Sequence, residues 1–211
     1  ASGPDNISAR ILKELHHSIA PTLQIIFQHS LDTGTVPMDW RNANVTPIYK
    51  KGERFKASNY RPVSLTSICA KTMEHIIVSQ MMNHMDQHNI LYRWQHGFRP
   101  KLSCETQLVT LVHDLAKNLS HGIQTDIIVT DFSKAFDKVP HRRLLHKLDF
   151  YGIRGKTKNW ISSFLSNRSQ SVVVEGEISD PISVDSGVPQ GSILGPILFL
   201  IYVNDLPDNL T

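Results

Sequence analysis

The sequence predicts an α+β protein, because segments with helical periodicity and segments with strand-like alternation follow one another along the chain. Apolar residues recur at helical spacing through residues 7–31 and 70–87, whereas residues 44–49 and 60–65 alternate as short strands do. The 211 residues are 40% hydrophobic and 19% charged, which is enough to bury the core of one or two domains.

The first half of the chain is predicted to hold helices on both sides of a hairpin. Proline removes a backbone hydrogen bond, so Pro21 is expected to split residues 7–31 into two helices. The strands 44–49 and 60–65 are separated by a polar, basic turn, as in a hairpin. Helices are predicted next over residues 70–87 and 103–119, the second with Ser103 as its N-cap.

The second half begins with a run of four β-branched residues, 127–130, which predicts a buried strand. Two helices are predicted after it, over residues 141–151 and 156–165. A hairpin follows over residues 171–184, with its turn at Glu175 and Gly176, and a final helix is predicted over residues 192–204, beginning near Ser192.

The composition restricts the class of protein. A formal net charge of +3 is far from that of a polycation, so any contact with nucleic acid must come from local clusters. Cys69 and Cys104 have no metal-ligand spacing and form no disulfide framework, which is typical of reduced thiols in the nucleus or cytoplasm. No apolar run reaches the roughly 20 residues of a membrane span, so no membrane association is expected.

Asp131 follows the predicted strand 127–130. A carboxylate at the end of a buried strand is costly unless it meets a metal or an ion pair, and such a carboxylate can hold two Mg²⁺ ions against a triphosphate. Its alternative role is to cap the next turn. Five residues later, Phe136 is either an ordinary core residue or a ring beneath a nucleotide sugar, where it excludes a 2′-hydroxyl. Asp137 is expected to cap the helix after Pro140 and receives no catalytic role.

The glycine-rich loop 186–196 is the second candidate site. Gly187 and Gly191 permit tight backbone geometry, and Gln190 offers a donor and an acceptor to a base or sugar. A helix that begins at Ser192 would add partial positive charge. The alternative is a simple loop that leads into a buried helix.

Basic residues surround the first predicted hairpin. Lys50, Lys51 and Arg61 suit the clamping of a triphosphate, although a basic hairpin is also typical of a solvated surface. Arg99 and Lys101 follow a glycine turn and are weaker candidates for contact with a template phosphate.

Four motifs, in this order, resemble those of reverse transcriptases, most of all the non-LTR (LINE-like, Jockey-type) retrotransposon branch. They are Asn-Tyr-Arg-Pro-Val-Ser-Leu at 59–65, Gln-His-Gly-Phe-Arg-Pro at 95–100, Asp-Phe-Ser-Lys-Ala-Phe-Asp-Lys-Val-Pro-His at 131–141, and Gly-Val-Pro-Gln-Gly-Ser-Ile-Leu-Gly-Pro at 187–196. Residues 3–5 and 36–47 are also similar to the N-terminal extension of that branch.

The resemblance implies a right-hand polymerase fold that stops within the palm and before the thumb. It would comprise an N-terminal helical extension over residues 1–45, fingers over 46–125, and a partial palm with interleaved fingers elements over 126–211. It also implies RNA-directed DNA polymerase activity with an RNA template, a DNA primer or target and dNTPs. The rest of a retrotransposon polyprotein, with an endonuclease and a thumb, would be the remaining partner.

The resemblance also assigns roles to site residues. Asp131 would bind two catalytic Mg²⁺ or Mn²⁺ ions, together with the backbone carbonyl of Phe132, and Phe136 would be the steric gate that favours deoxynucleotides. Contacts to the triphosphate, the incoming nucleotide and the template would come from Lys50, Lys51, Arg61, Gln190 and Gly191.

The family's second metal motif, an aromatic-Ala-Asp-Asp turn, is absent, and Asp205 is not in the context to replace it. The chain is therefore expected to stop short of that motif and to be inactive on its own.

Two alternatives stay open. An RNA-dependent RNA polymerase is disfavoured by Phe136, and a domesticated or decayed remnant would bind nucleic acid or protein without catalysis. The coding sequence that follows the chain would separate the enzyme from the remnant.

Overall fold

The computed structural model describes residues 2–209 and has the predicted α+β class. Its α-helices are α1 (Ala9–Glu14), α2 (His16–Thr33), α3 (Ile68–Gln87), α4 (Cys104–Ser120), α5 (His141–Phe150), α6 (Gly155–Leu165) and α7 (Leu194–Val203). Its strands are β1 (Asn42–Tyr49), β2 (Tyr60–Leu65), β3 (Arg168–Val174), β4 (Glu177–Ile178) and β5 (Ile182–Val184). Among these helices, none combines the length and apolar character that crossing a bilayer requires.

One mixed sheet joins the two predicted hairpins. β1 pairs antiparallel with β2, from Asn44 opposite Leu65 to Tyr49 opposite Tyr60. β1 also pairs in parallel with β3, which in turn pairs antiparallel with both β4 and β5. The strand order is β2-β1-β3-β4, with β5 beside β3. A parallel pair requires a long crossover, and the helices α3–α6 supply it between β1 and β3.

Local sequence signals explain two of the predicted features. Glu175 and Gly176 both have positive φ, 51° and 92°, the geometry of a two-residue type I′ hairpin turn. Ser103 caps α4 in a capping box, in which its Oγ accepts from the Thr106 amide at 3.3 Å and its own amide donates to the Thr106 Oγ1 at 2.9 Å. Both predictions are confirmed.

The core lies between the helices α3, α5, α6 and α7. Its fully buried side chains include Met85, Leu144, Leu148, Trp160, Ile161, Phe164, Leu165, Leu194, Leu198 and Ile201. The Trp160 indole donates to the Ser30 Oγ at 2.9 Å and thereby ties α6 to α2. Because α7 is buried in this core, the loop that precedes it is held at its C-terminal end.

The break in the N-terminal helical segment is not at Pro21, which lies inside α2. The chain leaves helical geometry at Leu15, where φ is −100° and ψ is 15°. Pro21 is exposed, so the backbone carbonyl that loses its donor can be hydrated, and α2 continues through it.

The predicted buried strand 127–130 is wrong for the described chain. Residues 123–132 have no regular secondary structure, and Ile128 and Val129 are 89% and 88% exposed. A β-branched run becomes a strand only where another strand offers its backbone groups, and none within residues 2–209 pairs with it. The preceding helix α4 also buries no residue, so it too presents apolar side chains to solvent.

Candidate functional site

Two motifs that lie about fifty positions apart in sequence dock against each other. The Gly187 amide donates to the Val139 carbonyl at 2.9 Å, and the Val188 amide donates to the Phe136 carbonyl at 2.8 Å. The Ser186 hydroxyl donates to the Asp137 carbonyl at 3.2 Å. The segment after Asp131 and the glycine-rich loop therefore form one unit.

Gly187 is required at this junction. Its φ is +84°, and a Cβ there would lie 2.7 Å from the Phe136 carbonyl oxygen and 2.8 Å from the Asp137 Cα. The imidazole Nε2 of His141 lies 2.7 Å from the Gly187 carbonyl oxygen and donates to it when that nitrogen carries the proton. Sequence reasoning gave His141 no role, although it is the last residue of the 131–141 motif.

The same loop is pinned on its other side to β2. The Ser64 amide donates to the Gln190 carbonyl at 2.8 Å. Gly191 has a φ of +114°, and a Cβ there would lie 2.6 Å from the Ser64 carbonyl oxygen. The loop thus bridges β2 and the 131–141 motif, and its two glycines stand where the backbone of another segment comes closest.

A cavity of about 300 Å³ opens beside this bridge. Polar residues from β2, β3, β5 and the loop line it, among them Ser64, Arg168, Gln170, Ser183, Asp185 and Gln190. Its lining combines hydroxyl, amide and backbone groups with one arginine, Arg168, and two aspartates, Asp137 and Asp185, a set that suits a polar, hydrogen-bonding ligand.

Arg168 is the buried cation of this cavity, and sequence reasoning missed it. Its side chain donates to the Phe164 carbonyl at 3.1 Å and stacks over the Phe164 ring, 4.9 Å from the centroid. Burial lowers the pKa of Arg168 to about 10, against the attraction of Glu74, so the side chain stays positively charged at neutral pH. Arg168 lies just before the strand predicted from residue 171, and in the structure it begins β3.

Phe136 belongs to an aromatic cluster rather than to a solitary core position. Its ring stacks on Phe199 at 5.1 Å with an interplanar angle of 22°, and the Phe98 ring meets it edge-on at 6.2 Å. The Phe132 ring also contacts Phe199 edge-on, at 6.0 Å. The cluster brings the 95–100 motif to the 131–141 motif, and Phe136 stays half-buried with part of its ring accessible.

The basic residues that were predicted to contact phosphate groups do not lie together at one place. Lys50 and Lys51 are exposed directly after β1, where the Lys50 amide donates to the Asn59 carbonyl, and Arg61 is exposed on β2 opposite Ile48. None of the three lines the 300 Å³ cavity. The Arg99 guanidinium donates to the Tyr92 carbonyl at 3.4 Å and lines a different cavity of about 550 Å³, while Lys101 is exposed.

Two expected helix caps are corrected. Asp137 does not cap α5, since the N-cap is Pro140 and the side chain of Asp137 is exposed. α7 begins at Leu194 rather than at Ser192, although the Ser192 Oγ accepts from the Gly195 amide at 2.9 Å.

Asp131 is exposed and does not end a strand. Within residues 2–209, no group of three or more His, Cys, Asp or Glu side chains is placed to share a metal ion. Asp131 is thus one carboxylate in reach of solvent, and the described residues do not complete a two-metal site.

Comparisons with known proteins show which family the sequence resembles. The family described as reverse transcriptase (RNA-dependent DNA polymerase) matches residues 48–211. The chain is 30% identical to the RNA-directed DNA polymerase from mobile element jockey of Drosophila melanogaster, over 98% of the chain and 23% of that protein. It is 30% identical to the probable RNA-directed DNA polymerase from transposon BS of the same species, over 97% of the chain and 23% of that protein.

A more distant relative is the Pol polyprotein from type-1 retrotransposable element R2 of Popillia japonica. It is 26% identical over 82% of the chain and 24% of its own length. The chain therefore spans about a quarter of the length of these curated relatives.

Proposed function

Because the chain belongs to the reverse transcriptase family, we propose that it forms the fingers and part of the palm of a non-LTR retrotransposon polymerase. That enzyme would transfer nucleotides from dNTPs to a primer 3′-hydroxyl on an RNA template. The observation that carries the proposal is the docking of the 131–141 motif on the Gly187–Gly191 loop beside a polar cavity. Residues 1–45 would be the N-terminal extension, 46–125 the fingers, and 126–211 the partial palm.

The exposed apolar side of the chain supports a partial palm. Ile128 and Val129 point their apolar surface to solvent, and α4 exposes Leu108, Val109 and Val112. Neighbouring exposed apolar side chains of this kind are typical of an interface. We infer that further palm strands of a longer polymerase cover it, in keeping with relatives about four times as long.

Asp131 and the backbone carbonyl of Phe132 are our candidates for part of a divalent-cation site, since the family generally depends on such ions. The exposure of the Asp131 carboxylate leaves it open to an ion. The described residues hold no group of three or more His, Cys, Asp or Glu side chains placed to share an ion, so the proposal assigns Asp131 as a ligand and derives no reaction step from the ions.

The remaining proposed nucleotide and template contacts are based on the loop that bridges β2 and the 131–141 motif. Gln190 and Gly191 would meet the incoming nucleotide and the template, because the backbone on each side of them is fixed. Lys50, Lys51 and Arg61 stand exposed on and beside the hairpin that carries the Ser64 contact, where they would reach a triphosphate. Arg99 and Lys101 remain weaker candidates for the template.

Primer extension tests the proposal. The protein to use is the extended polymerase, defined as the 211 residues continued into the coding sequence that follows them in their own gene. It is expected to extend a DNA primer on an RNA template with dNTPs, whereas the 211 residues alone give no extension. An early stop codon, or nucleic-acid binding without extension, would instead support the remnant.

Replacing Phe136 by Val in the extended polymerase is expected to raise ribonucleotide incorporation, relative to dNTP incorporation, about tenfold or more. The half-buried ring is held by Phe199 and Phe98, so its accessible edge cannot yield to a 2′-hydroxyl. A clash of that size corresponds to roughly 1–3 kcal/mol. The measurement is kcat/KM for a matched rNTP and dNTP pair.

Phe150→Val is the matched control, because Phe150 is an exposed phenylalanine of α5 outside this cluster and is expected to leave sugar selectivity unchanged. Unaltered selectivity in Phe136→Val would show that Phe136 is only a packing residue.

A further inference from the structure

Glu74 is a fully buried carboxylate that lies far in sequence from the motifs of the site. It sits on α3 with 0% exposure, and its Oε2 accepts from the Ile193 amide at 2.8 Å and the Leu194 amide at 3.0 Å. These amides begin α7, so a side chain from one helix caps the first turn of another.

This position is costly for a carboxylate. Burial raises the pKa of Glu74, and the two backbone donors and the positive charges of Arg168 and Lys71 oppose that effect. In the described part of the chain its Oε1 has no hydrogen-bond partner. An apolar side chain would avoid this desolvation but would leave the two amides without an acceptor.

The capped amides follow the Gly187–Ser192 loop directly. The loop is fixed by the Val139 and Phe136 carbonyls at its start, by Ser64 at Gln190, and by Glu74 where α7 begins. Arg168, which acts electrostatically on Glu74, also lines the cavity beside Gln190. On the α7 side of Gln190, two sets of contacts therefore hold the loop: those of the Ser192 hydroxyl with Pro189 and Gly195, and those of Glu74 with the Ile193 and Leu194 amides.

We propose that Glu74 is a positioning residue for nucleotide binding: it fixes the start of α7 and thereby the placement of Gln190. This inference rests on the proposed polymerase function. Glu74 itself touches neither nucleotide nor primer, and it acts through the loop.

The test compares Glu74→Leu with Glu74→Gln in the extended polymerase. Leu fills the site but accepts no hydrogen bond, so the loop loosens and the KM for dNTP is expected to rise about tenfold or more. Gln keeps a carbonyl oxygen that can accept from both amides, so its KM is expected to stay within about threefold of the wild-type value. KM does not depend on how much enzyme is folded, so a loss of stability alone cannot imitate this result.

Hydrogen exchange of the same proteins gives a readout without activity. The Ile193 and Leu194 amides are expected to lose protection in Glu74→Leu and to keep it in Glu74→Gln. The control is Glu14→Ala, which replaces an exposed helical glutamate and is expected to change neither protection nor KM. Equal KM values and equal protection in the Leu and Gln variants would overturn the inference. A wild-type enzyme without primer extension would instead refute the polymerase proposal, and the exchange data would still decide the role of Glu74 in the loop.

Discussion

Replacing Asp131 by Asn in the extended polymerase is expected to reduce primer extension by at least about a thousandfold, equivalent to about 4 kcal/mol of transition-state stabilisation. The substitution keeps the shape of the side chain and removes its charge. Because the carboxylate is exposed and outside any regular element, the free energy of unfolding should change by no more than about 0.5 kcal/mol. The measurement pairs single-turnover extension rates with denaturant unfolding.

Asp126→Asn is the matched control. Asp126 is exposed in the same irregular segment, and its Oδ1 accepts a hydrogen bond from the Gln124 side chain at 3.4 Å. Extension by this variant should equal that of the wild type. If Asp131→Asn retains more than about a tenth of the wild-type rate, the assignment of Asp131 as a cation ligand is wrong.

Replacing Gly187 by Ala is expected to cost about 2–4 kcal/mol of stability and to abolish primer extension, because two penalties combine. The backbone has a φ of +84°, and the new Cβ would lie 2.7 Å from the carbonyl oxygen of Phe136. That contact can be relieved only if the loop moves away from the 131–141 motif. The loop would then lose the amide contacts to Val139 and Phe136 that place Gln190 near the motif.

Gly176→Ala separates the two penalties. Gly176 has a φ of +92°, but a Cβ there meets no atom within 4 Å. Its variant should therefore show backbone strain alone, of about 1 kcal/mol, with extension unchanged. Equal losses of stability and of activity in the two alanine variants would mean that the close packing of Gly187 against the Phe136 carbonyl is not needed for activity.

The fold was predictable where short-range patterns determine it. The turn at Glu175 and Gly176 and the cap at Ser103 each depend on neighbours within a few residues, and the β1–β2 hairpin pairs two strands that a single loop separates. Pro21 misled because an exposed proline can be accommodated inside a helix. The run 127–130 misled because a strand exists only with a partner, and a pattern of β-branched residues does not show whether that partner is present.

The sequence motifs of the site were predictable, but the buried charged residues that hold its loop and line its cavity were not. The resemblance singled out Asp131, Phe136 and Gln190 together, and the structure joins the segments that carry Phe136 and Gln190 through backbone hydrogen bonds. Glu74 and Arg168 could not be found in this way. Each is a single charged residue in an otherwise ordinary helix or strand. The amides that Glu74 caps lie on α7, and Arg168, which contacts Phe164 four residues earlier, reaches its cavity only when β3 joins the sheet.

Photo-crosslinking of a nucleotide tests the central claim most directly, namely that residues 131–141 and 186–192 form one deoxynucleotide site. The extended polymerase, bound to an RNA template with a DNA primer, is irradiated with an azido analogue of dATP, and the labelled peptides are identified by mass spectrometry. We predict label in peptides from both segments and its loss from both in Gly187→Ala. Label confined to other parts of an enzyme that still extends the primer would contradict the account.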